Sequence, residues 1–137
     1  MTDNRLLEAY LNTTFVAFAP ETEIRIRVGE RNPFLEDLLA LHGVSTWAFI
    51  TAFNPASVSL GSRENELRQN RLEVELAKRY VLLPGLGKSD AGNWPAERSV
   101  LVLGIARDDA VRVGQRYGQN AIVVGAVTGL PELLWIQ

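Results

Sequence analysis

The sequence predicts an α/β fold on the α+β border, with helices packed on one β-sheet of mixed strand direction. Three observations carry this. Residues 46–53 and 97–104 are apolar at both alternating sets of positions, as strands covered on two faces are. Between such segments, apolar residues recur at helical spacing. The 137-residue length and 47% hydrophobic content suit one globular domain, taken as residues 1–137, with a core of its own.

Each element has a local reason. Asp3 can cap a short helix whose Leu6, Leu7, Tyr10 and Leu11 share a stripe. Residues 14–18 and 23–28 read as strands joined by an acidic turn at Pro20. In the second, Ile24, Ile26 and Val28 alternate with Arg25 and Arg27, as on a sheet with one wet face. Asn32-Pro33 supplies a cap and a first helical residue. Glu36 and Asp37 suit the positive helix start, and Gly43 ends the helix just past His42. After the central strand at 46–53, Ser62 offers a cap for a long helix at 63–79. Residues 80–84 read as a short strand and 85–95 as a glycine-rich loop. The strand at 97–104 follows, then a helix at 108–117 closed by Gly118. Strands at 121–125 and 132–136 finish the chain, the second after the Gly129-Leu130-Pro131 turn.

Composition removes several functions. The chain has no cysteine and one histidine, His42, which argues against thiolate metal sites, a cysteine nucleophile and a Ser-His-Asp triad. Metal and cofactor are therefore both expected to be none. A net charge of −2 is a poor match for a polyanion, so nucleic acid is not expected. No apolar run nears the roughly 20 residues that cross a bilayer, and the N-terminus lacks a signal-peptide pattern. The expectation is a soluble cytoplasmic protein with no membrane partner.

Topology gathers the remaining polar residues. A strand, a long helix and a second strand form a β-α-β unit, so strands 46–53 and 80–84 should run the same way. The helix-free loop at 85–95 returns strand 97–104 antiparallel, and strand 121–125 then runs parallel to that one. The ends of the first pair and the starts of the second share one edge. There lie Asn54, the serine-bearing loop with Ser57, the helix start with Asn65 and Arg68, and Trp94. Glu97, Ser99, Gln119 and Asn120 open the other two strands. At roughly 100° per residue, Asn65 projects within about 20° of Leu72 and Leu76, toward the sheet.

Glu97 shares a strand face with Leu101 and Leu103, where a carboxylate is either paired or tuned for chemistry. Arg68 and Arg98 are candidate partners for an ion pair. Trp94 either covers the core or stacks a planar ligand. Asn54 and Asn65 either hold a ligand or tie down the loop. Two motifs fail: "GLGKS" lacks the first glycine of a phosphate-binding loop, and no helix follows Lys88. The mixed charges of residues 62–79 read as the solvated side of a helix.

Together, "WAFITAFNPAS", Glu64-Asn65, "WPAERS" and "YGQNAIVVG" resemble a bacterial family, domain-of-unknown-function family 3293, over about residues 13–135. The resemblance implies that Thr51, Asn54, Pro55, Asn65, Trp94, Glu97, Ser99, Gln119 and Asn120 sit at family motif positions. It implies no activity, ligand or partner. Two readings stand from the residues. One is a pocket for a small polar or anionic ligand, nucleotide- or sugar-like, with Glu97 as acid, base or nucleophile of a metal-independent enzyme. The other is a non-catalytic interaction or regulatory module whose polar rim is structural.

Overall fold

The computed structural model describes residues 4–136, so the predicted Asp3 cap lies outside the described residues. Among the described residues the elements run α1 (Asn4–Leu11), β1 (Thr13–Phe18), β2 (Glu23–Ile26), α2 (Pro33–Leu41) and β3 (Thr46–Ile50). After a 3-10 turn at Pro55–Ser57 come α3 (Ser62–Ala77), β4 (Val81–Ser89), β5 (Glu97–Leu103), α4 (Arg107–Arg116), β6 (Ala121–Ala126) and β7 (Glu132–Trp135). The α/β class is as the sequence predicts.

The seven strands form one sheet in the order β2-β1-β4-β5-β3-β6-β7, which places β5 and β3 in the middle. Strand directions also follow the prediction. β3 and β4 run the same way, with β5 between them, and β5 and β6 run the same way, with β3 between them. Each crossover therefore skips one strand position. Among the described residues every hydrogen-bonded strand pair is antiparallel as a result.

Alternation along the central strands divides the apolar residues between two cores. Val100 and Val102 of β5 join Leu72 and Leu76 of α3 and Ala110 and Val113 of α4 on one face. Leu101 and Leu103 join Phe15, Trp47, Phe49 and the α2 residues Leu35 and Leu39 on the other. Burying a leucine of this kind contributes about 1.5–3 kcal/mol, which is why the charged outer face of α3 does not prevent it from docking.

Two local readings change, the cap of α3 and the segment after Pro84, while the ends of α2 stand as expected. Asn32 caps α2 as predicted, its side chain accepting from Leu35 N–H at 3.0 Å, but Gly61 rather than Ser62 precedes α3. His42 is the exposed residue that closes α2. The larger change is "GLGKS", read as loop, which is the second half of β4. Its glycines hide the apolar alternation that marks a strand, yet they are what allow the strand to lie there. A Cβ on Gly85 would stand 2.8 Å from the Phe49 ring and 2.8 Å from the Val16 carbonyl oxygen. Pro84 lies just before β1 begins to pair with β4 at Gly85, where β5 is its one neighbouring strand among the described residues.

Candidate functional site

The corner at the end of β3 is built by α3. Pairing of β3 with β5 stops at Ile50, opposite Val100, and leaves the following backbone N–H groups without a strand partner. Gln69 accepts from Ala52 N–H at 2.8 Å and Asn65 accepts from Asn54 N–H at 2.9 Å. Four helical residues rise about 6 Å and two extended residues span about 6.6 Å, so amides one turn apart match alternate strand positions. Both side chains are buried, Asn65 at 4% and Gln69 at 0% exposure. This explains an amide on the apolar side of a helix. It replaces a ladder that the sheet no longer provides.

Asn54 is the hub. Its side-chain oxygen accepts from Leu60 N–H at 2.9 Å and from the Asn65 amide at 2.8 Å, while its Nδ2 donates to Glu97 Oε2 at 2.9 Å. Its φ of +46° is left-handed, as are those of Ala56 (+54°) and Ser57 (+62°), a costly backbone for residues other than glycine. The α4–β6 connection holds it in place. Ala56 N–H donates to the Gly118 carbonyl at 2.7 Å, Gln119 Nε2 to the Phe53 carbonyl at 3.1 Å, and Asn120 Nδ2 to Ser57 Oγ at 2.6 Å.

Glu97 opens β5 half-buried, and Asn54 is its hydrogen-bond donor among the described residues. Burial raises its carboxyl above the usual range, only partly opposed by the Asn54 amide. The nearby Tyr10 phenol is pushed up to about 12 by burial and by the Glu97 charge. Neither predicted arginine reaches Glu97. Arg98 points to the other face and pairs with Glu66 at 2.7 Å and Glu73 at 3.1 Å. Arg68 binds the carbonyl of Ala52 at 2.9 Å and that of Tyr117, and its guanidinium lies over the Tyr117 ring. Placed one residue before Gln69, it ties β3 to the end of α4 and does not line the cavity below.

These residues border a cavity of about 680 Å³ that runs from the corner over the sheet face beneath α1. Asn54, Ser57, Asn65, Trp94, Glu97, Ser99, Gln119 and Asn120 all contribute to its wall. Ser99 is buried and donates to the Glu97 carbonyl at 3.0 Å, so its hydroxyl is turned back on its own strand. Sequence reasoning missed the opposite wall. Leu6, Ala9 and Tyr10 of α1 and Phe15 of β1 line it, although the amphipathic stripe of α1 reads as ordinary core. It also missed Gly87, whose absent side chain leaves space. A Cβ there would meet only Phe15 and Ser99, at 3.9 and 4.0 Å. No lysine, arginine or histidine lines the cavity among the described residues, and Glu97 is its one carboxylate. Among the described residues there is no group of three His, Asp or Glu side chains placed to hold a metal ion. No helix among them is long and apolar enough to cross a membrane.

Fold and site define an α/β protein with an antiparallel sheet and a cavity cornered by an Asn-Asn-Glu network. The chain belongs to the family described as protein of unknown function (DUF3293), whose model matches residues 50–122. That span contains the whole polar corner but not α1, β1 or β2. No curated protein and no solved structure is matched by the chain.

Proposed function

We propose that the cavity binds a small polar ligand and that Glu97 is the group that meets it. The observation that carries this is a half-buried carboxylate that, among the described residues, has one amide donor and no cation, facing about 680 Å³ of space. An unpaired charge in such a place is costly unless something it binds compensates for the cost. Asn54 and Asn65 hold Glu97 and the turn in position, since their amide groups are directed to one another and to the backbone. If the site is catalytic, Glu97 serves as base, acid or nucleophile without a metal, its raised proton affinity suiting proton transfer. The reading takes the protein as soluble and cytoplasmic. Its net charge of −2 speaks against a polyanionic partner.

The same interlocked amides favour a second reading, in which the corner is structural and the protein is a non-catalytic module. A thermal-shift screen of metabolites against the wild type, Glu97→Gln and Gly87→Leu separates the two. Ligand binding expects stabilising hits in the wild type that both variants lose. A screen without such hits, with Glu97→Gln markedly less stable, would leave the structural reading.

A further inference from the structure

Resting on that ligand-site reading, we infer that the ligand is a planar, nitrogen-bearing ring, neutral or cationic and without a phosphate, whose N–H edge meets Glu97. Shape and charge both point this way. Tyr10, Phe15, Phe49, Phe53 and Trp94 line the cavity, offering ring faces and edges to a flat heterocycle. The one full charge among the described wall residues is negative. Asn54 occupies Oε2, and no donor among the described residues serves the other carboxylate oxygen. N–H donors, as on the amino group of a nucleobase or on an aromatic amidine, would supply charge-assisted hydrogen bonds to that group.

A phosphate would meet the opposite conditions. It would be desolvated beside a carboxylate with no lysine, arginine or histidine among the described wall residues to neutralise it. The start of α3 near Ser62 offers only about half a positive charge, and Glu64 in the first turn offsets it. The carboxyl's raised proton affinity agrees with a group short of partners.

Two matched pairs of probes test the inference by calorimetry on the full chain: benzamidine against benzoate, which share a ring and differ in charge, and adenosine against adenosine 5′-monophosphate. The expected result is saturable binding of benzamidine but not benzoate, and tighter binding of adenosine than of its phosphate. Glu97→Gln should weaken benzamidine by about 10–100-fold, the worth of a charged hydrogen bond. Gly87→Leu should weaken all cavity binding. Circular dichroism confirms that each variant is folded, and Glu97→Gln alone decides if Gly87→Leu is not. Tighter binding of benzoate or of the monophosphate, lost in these variants, overturns the ligand class and leaves the site reading standing. Absence of binding by all four probes also overturns the class. If the metabolite screen then finds nothing, the site reading falls with it.

Discussion

The Asn54 side chain accepts two hydrogen bonds and donates one, on a left-handed backbone that asparagine tolerates better than most residues. Asn54→Ala should therefore cost about 2–4 kcal/mol in urea unfolding, because Leu60 N–H and Asn65 lose their acceptor together. Glu97 should behave in the opposite way. Burial raises its carboxyl in the folded state, so the folded chain holds the proton more tightly than the unfolded one. Its contribution favours folding below the unfolded value and is lost as pH rises through the folded value. Glu97→Gln keeps an acceptor for Asn54 and removes the charge. At pH 7 it should be more stable than the wild type, because the charge that burial disfavours is gone. The difference should shrink toward about pH 4, where the carboxyl becomes neutral as well. Thermal melts at the two pH values check this. Asn54 and Glu97 were legible in the sequence because each stands where an apolar strand meets a turn. Tyr10 was not, because a tyrosine on an amphipathic stripe looks the same whether it borders a core or a cavity.

Helix α3 and strand β4 show where sequence patterns inform and where they mislead. Asn65, Leu72 and Leu76 were visible in the sequence as one face of α3 turned to the sheet, and the structure adds Gln69 to that stripe. Its division into two amides and two leucines has a purpose only beside the unpaired end of β3. Arg68 was expected on the rim because it is basic and near. One step around the helix from Gln69, it reaches backbone carbonyls instead. In β4, glycine masks the strand and Pro84 reads as its end, so half the element was taken for loop. The two glycines there make opposite predictions. Gly85→Ala places a methyl group against the Phe49 ring and the Val16 carbonyl and should cost about 1–3 kcal/mol. Gly87→Ala meets only ordinary contacts, and should be neutral or gain up to about 1 kcal/mol from reduced freedom of the unfolded chain. Denaturant midpoints of the pair check both.

At the scale of the molecule, β5 and β3 carry strands on both sides and an apolar core on each face. Backbone amides of Ala48, Val100 and Val102 should exchange hydrogen slowest, while those of the 54–60 turn exchange early, as local openings precede global unfolding. Direction and order of crossover were legible because long helices and helix-free loops dictate strand sense. That each crossover skips a position was not, since strand order depends on which faces fit. The same topology brings four strand ends to one corner and leaves Glu97 over a cavity that α1 roofs. The titration of the Glu97 carboxyl by carbon-13 NMR, with and without saturating benzamidine, tests this most directly. The account predicts a midpoint above the ordinary glutamate range in the free protein, falling when the cation binds the ionised form. An ordinary midpoint that benzamidine leaves unchanged would contradict it.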